Sequence, residues 1–162
     1  MAQTETILSA LGAHTLPAWE ELPDFELYMD QVLSLAGRYL QKLPTGEARP
    51  LTSSMVNNYV KQKLMPPPVS KRYNRVHIAD LLMVCTLKTV MPISSIQTLL
   101  APLETEEMVR QFYTHFCRMY EQTGKELTSS LQQDQSRTEQ ILHAALLSQA
   151  EQSAALALLE QE

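Results

Sequence analysis

Leu51-Thr52-Ser53-Ser54-Met55-Val56-Asn57-Asn58-Tyr59-Val60-Lys61-Gln62-Lys63-Leu64-Met65-Pro66-Pro67-Pro68 is the stretch on which the fold turns. Thr52 or Ser53 suits a helix N-cap, because a short hydroxyl side chain accepts from a free N–H of the first turn. Val56, Tyr59, Val60 and Leu64 recur at helical spacing and predict an inward face. Ser54, Asn57, Asn58 and Lys61 fall largely on the opposite side. The spacing predicts a short helix over residues 53–64. The three prolines forbid its continuation and force an extended path.

Working outward toward the C-terminus, residues 69–73 read as a short ribbon or loop, and Asn74 as the next cap. Residues 75–90 follow, with Ile78, Ala79, Leu81, Leu82, Met83, Val84, Cys85 and Leu87. A helix apolar nearly all round belongs at the centre of the core. Pro92 stops it. Ser94 or Ser95 is expected to cap a short helix holding Ile96, Leu99 and Leu100, which Pro102 closes. Glu106 and Glu107 after Thr105 make an acidic first turn that suits a helix dipole. Val109, Phe112, Tyr113, Phe116, Cys117 and Tyr120 form an apolar stripe to about residue 122, with Gly124 as the expected stop. This stripe is expected to pack between two C-terminal helices, the second running over 134–161.

Toward the N-terminus, Asp24 is the expected cap of a helix over 24–43, ended by Pro44 and Gly46, and residues 44–51 read as a loop. Residues 1–23 read as a loosely ordered arm. Its apolar residues Leu8, Leu11, Leu16, Trp19 and Leu22 have no clean period, and Trp19 is expected to make a satellite core contact. No internal repeat is found. The expected division is an arm (1–23), a central unit built around the quoted stretch (24–103) and a C-terminal helical hairpin for self-association (104–162).

The 162 residues are 44% hydrophobic, enough for a real core, and the four glycines suit helices joined by few tight turns. Net charge is −5. The distribution matters more than the sum. Residues 51–92 hold Lys61, Lys63, Lys71, Arg72, Arg75 and Lys88 against Asp80 alone; the rest holds 7 basic and 17 acidic residues. A basic island in an acidic chain is expected when one segment faces phosphates.

No run of about 18 apolar residues predicts a membrane span. The first 20 residues have neither a basic start nor a long apolar centre, so no secretory signal is expected. Cys85 and Cys117 sit in apolar helical patterns and read as small buried thiols of a reducing cytoplasm. His14, His77, His115 and His143 are scattered, so no zinc site, and no metal or other cofactor, is expected. His77 reads as a solvated side chain or a phosphate contact. With no phosphate loop and no nucleophile elbow, an enzyme is not expected.

A recognition helix must offer donors and acceptors to base edges, with cations reaching the flanking phosphates. Asn57 and Asn58 do both, adenine being the usual bidentate partner. Lys61, one turn after Asn57, reaches a guanine edge or a phosphate, and Ser54 lies one turn before. Chemistry alone leaves open a solvated polar face beside a charged loop.

Asn58-Tyr59-Val60-Lys61-Gln62-Lys63-Leu64-Met65-Pro66-Pro67 resembles the MerR signature, in which a tyrosine-bearing helix runs into gly-leu-leu-x-pro. Lys71-Arg72-Tyr73 is similar to the family's wing, and Ile78–Val90 with 92–100 resembles its leucine-rich ending. Residues 51–61 are also similar to a bacterial domain family of unknown function (DUF1836-type). The resemblance implies an all-α fold with a MerR-like winged helix-turn-helix and a short wing. It implies double-stranded DNA as partner, bound by a homodimer paired through C-terminal helices. Base readout then falls to Ser54, Asn57, Asn58 and Lys61. Backbone contact falls to Lys63, Lys71, Arg72 and Arg75, and Tyr73 matches the wing tyrosine. Asn57 and Asn58 stand where MerR proteins usually carry an arginine and an aromatic residue, and the first helix and the loop after it are longer. Operator twisting is therefore an analogy only. The alternative is a helical protein-interaction module that keeps the fold without binding DNA.

Overall fold

The computed structural model describes residues 9–10, 12–40, 50–130 and 136–160. Six helices of eight residues or more are described: α1 (Met29–Tyr39), α2 (Ser53–Lys61), α3 (Arg75–Leu87), α4 (Ile93–Leu100), α5 (Glu106–Ser130) and α6 (Arg137–Leu159). A 3-10 turn at Trp19–Glu21 precedes them. Among the described residues there is no strand, only two isolated bridges. The end of the helix expected over 24–43, its stops Pro44 and Gly46, most of the loop after it, and the start of the helix expected at 134 lie outside the described residues.

α3 is the axis of the molecule. His77 through Val84 are all buried; the apolar residues among them are those the pattern predicts, and His77 and Asp80 are buried with them. Asn74 caps it, its side chain accepting from the His77 N–H at 3.3 Å. α5 and α1 pack against α3, and α2 against α1.

α1 starts later than Asp24. Leu27 exchanges both backbone hydrogen bonds with Tyr73, each 2.8 Å, so the chain stays extended through that point. The helix begins at Met29, where the Gln31 side chain accepts from the Tyr28 N–H. Thr52 caps α2 through the Met55 N–H, and Thr105 serves α5 through the Met108 N–H. Pro92 precedes α4 with no side-chain cap, so neither Ser94 nor Ser95 has that role.

Gly124 does not end α5. The helix runs on to Ser130, where Lys125–Glu121 and Gln122–Glu126 pairs one turn apart support it. Such pairs offset part of the roughly 1 kcal/mol that an interior glycine costs.

The arm is part of the core. Trp19 and Leu22 belong to the same buried cluster as α3, Val109 and Tyr113. Tyr113 donates its hydroxyl to the Pro17 carbonyl at 2.8 Å, and its ring meets Trp19 edge-on. Gly12 passes so close to α5 that a Cβ there would stand 2.6 Å from Thr128 Oγ1. One core thus crosses both expected divisions, 23/24 and 103/104.

The aromatic stripe of α5 accordingly faces the arm and α3 and not a second C-terminal helix. α6 packs instead against α4, and Gln152 donates to the Val90 carbonyl at 2.7 Å. The expected hairpin of two C-terminal helices is replaced by this arrangement, because α5 has already spent its apolar face.

Candidate nucleic-acid interface

α2 is a short helix with two opposite characters. Val56 and Tyr59 are buried in the core, with Leu64 just beyond. Ser54, Asn57, Asn58 and Lys61 are exposed, and among the described residues their side chains make no hydrogen bond or ion pair. Thr52 fixes the start of the helix. Its end is a Schellman motif: the Lys63 N–H bonds the Val60 carbonyl and the Leu64 N–H bonds the Tyr59 carbonyl. This motif needs a left-handed residue, and Lys63 fills the place with φ 57°. Gln97 of α4 adds a hydrogen bond to the Gln62 carbonyl at 2.9 Å.

Past the prolines, Val69 and Arg72 exchange both backbone hydrogen bonds around Ser70 and Lys71. Both central residues have positive φ, 50° and 61°, the pattern of a tight hairpin turn whose twist matches its flanks. Lys71 sits exposed at the tip. Arg72 is exposed too, paired with Glu26 at 3.2 Å and 6.0 Å from the Tyr28 ring centre.

Tyr73 and Arg75 are directed inward. Tyr73 is buried by its bridge to Leu27, with its ring edge-on to His77. Arg75 spends its guanidinium on the Leu22 carbonyl, at 3.1 and 2.9 Å, and lies over the Trp19 ring. Both therefore support the turn and the start of α3 from within. Seven of the nine residues expected to meet DNA remain exposed: Ser54, Asn57, Asn58, Lys61, Lys63, Lys71 and Arg72.

His77 is neither solvated nor open to a phosphate. It is buried, its Nδ1 accepts from the Asn74 N–H at 3.0 Å, and its Nε2 donates to the Pro67 carbonyl. Burial lowers its pKa, opposed in part by the carbonyls of Pro67 and Pro66. Asp80, one turn on, is buried with no ion pair among the described residues, and burial pushes its carboxyl up to about 7. The spacing Asn74-x-x-His77 is a local sign of the cap that the residue pattern carried.

Sequence reasoning also left Lys88 without a role. Its Nζ donates to the Tyr59 hydroxyl at 2.6 Å. No local signal joins residues 29 positions apart.

Cys85 and Cys117 are free thiols, half-buried, and burial pushes the Cys85 thiol up to about 11. Neither is activated as a nucleophile. Among the described residues no three His, Cys, Asp or Glu side chains are grouped to hold a metal ion. None of the described helices is long and apolar enough to cross a membrane.

A family model described as "Domain of unknown function (DUF1836)" matches residues 17–123. Comparisons with curated proteins and with solved structures each find no match. The matched span starts in the arm and ends in α5, and so covers the whole buried cluster.

Proposed function

Since the chain belongs to the DUF1836 family, whose description assigns no activity, we propose a function from the geometry itself: sequence-specific binding of double-stranded DNA by a transcription regulator. In this reading α2 is the recognition helix of a MerR-like winged helix-turn-helix, and the turn at Ser70 and Lys71 is its short wing.

The observation that carries the reading is the unpartnered polar face of α2, Ser54, Asn57, Asn58 and Lys61, on a helix anchored by Val56 and Tyr59. A helix fixed from behind and capped at both ends holds its outward donors and acceptors in one register, which base readout requires. Asn57 and Asn58 suit adenine, Lys61 a guanine edge or a phosphate. Lys63, Lys71 and Arg72 supply backbone charge. Tyr73 and Arg75 hold the wing and α3 in place. The basic island of residues 51–92 in a chain of net charge −5 supports the same assignment.

α6 supplies the dimer contact. It is 23 residues long with no buried residue, and Ile141, Leu142, Leu146 and Leu158 are all more than half exposed. The same observation favours the second reading, a protein-interaction module that binds no DNA.

The test is fluorescence anisotropy of a labelled duplex from the gene's own upstream region, titrated at several salt concentrations beside a scrambled duplex. Tighter binding of the upstream duplex, with a salt slope of about −0.9 per neutralised phosphate, is the expected result. A folded protein that binds neither duplex overturns the DNA reading and leaves the interaction module.

A further inference from the structure

Ser54, Met55 and Asn58 of α2 form one wall of a shallow pocket of about 480 Å³. Tyr59 and Lys88 lie at its side, and Met91, Pro92 and Ile93 close it. Ser54 and Asn58 belong to the unpartnered face of α2, so the pocket opens beside the proposed readout surface.

Lys88 caps the C-terminal end of α3. Its ammonium has three N–H donors, of which the Tyr59 hydroxyl takes one at 2.6 Å. Burial pushes the Tyr59 phenol up, so its oxygen stays protonated and offers Lys88 a lone pair without a charge. Among the described residues Lys88 makes no ion pair. The result is an ammonium with no carboxylate partner among the described residues, held by the hydroxyl and near the ring of Tyr59 on the recognition helix itself. A free lysine loses side-chain entropy when it is immobilised on a ligand, and this one has lost part of it already.

We propose that this pocket takes a phosphodiester oxygen of the DNA backbone, with Lys88 as its cation and Tyr59 as the residue that positions Lys88. The inference rests on the DNA-binding reading above. It adds a backbone clamp flanking α2, separate from the wing.

The experiment compares wild type, Lys88→Gln, Tyr59→Phe and Lys61→Ala in the anisotropy titration across salt, with melting curves to verify folding. Lys88→Gln is expected to weaken binding about tenfold and to reduce the salt slope by about 0.9, the signature of one lost phosphate contact. Tyr59→Phe keeps the charge and frees the lysine, so a loss of about threefold at an unchanged slope is expected. If Tyr59→Phe melts early, Lys88→Arg serves instead and is expected to restore the slope. Lys88→Gln with wild-type slope, alongside a weakened Lys61→Ala, overturns the clamp and leaves the α2 reading standing. Wild type that binds no duplex overturns both. Inorganic phosphate alone is titrated in parallel while the amide signals of Ser54 and Asn58 are followed. Saturation at low millimolar phosphate in wild type, absent in Lys88→Gln, assigns the pocket to the free anion and overturns the backbone assignment.

Discussion

The Nε2 of His77 stands 3.2 Å from the carbonyl oxygen of Pro67 and fastens the first turn of α3 to the proline connector. On the other side of the ring, Nδ1 accepts from the Asn74 N–H at 3.0 Å, and that bond needs the neutral ring. Its pKa is lowered in the folded protein, so the contribution of His77 to stability is complete above the ordinary imidazole pKa and is lost as pH falls below it. Asp80 acts in the opposite sense. Its folded pKa is raised to about 7 from 3.8, so its ionisation costs stability progressively as pH rises from about 4 through about 7.

The two slopes oppose each other, and single variants separate them. In Asp80→Asn the urea midpoint is expected to rise with pH between about 5 and 7, relative to wild type. In His77→Gln it is expected to fall over the same interval. Above pH 7 Asp80→Asn is expected to be the more stable protein, by on the order of a few kcal/mol at most. Parallel profiles for all three proteins contradict this account.

Lys63 is a second site where local energy is spent. A left-handed residue other than glycine costs roughly 1–2 kcal/mol, and Lys63 sits at φ 57°. Lys63→Gly is expected to raise stability by about 1 kcal/mol in urea unfolding, while DNA affinity falls and the salt slope drops by about 0.9. A variant no more stable than wild type shows that Lys63 is not strained there.

The dimer assigned to α6 has its own test. Leu142 and Leu146 are one turn apart and exposed at 55% and 65%. Sedimentation equilibrium of wild type is expected to give twice the 18.3 kDa chain mass, and Leu142→Glu with Leu146→Glu the single mass. Monomeric wild type at tens of micromolar removes α6 from the interface.

Much of the helical order was legible in the sequence where local chemistry sets it. Thr52 and Asn74 cap the helices they were expected to cap, Pro66, Pro67 and Pro68 follow the end of α2, and the run at 77–84, apolar but for His77 and Asp80, is the buried axis. Elements that depend on distant partners were not legible. Asp24 lost the cap of α1 because Leu27 pairs with Tyr73, 46 residues away in sequence. Gly124 failed as a stop because neighbouring side chains carry the helix past it. α6 was expected on α5, but its partner α4 shares no sequence signal with it. At the candidate site, helical periodicity sorted α2 correctly into an inner and an outer face. It could not separate Arg75, which turns inward to Leu22, from Lys71, which stays out. Nor could it join Lys88 to Tyr59.

The outward face of α2 as the DNA-reading surface is tested most directly by following backbone amide signals of the labelled protein as a duplex is added at low salt. The account predicts the largest shifts at residues 54–63, 70–72 and 88, with α6 unmoved by the DNA itself. Shifts confined to α6, or none at protein-saturating duplex, contradict it.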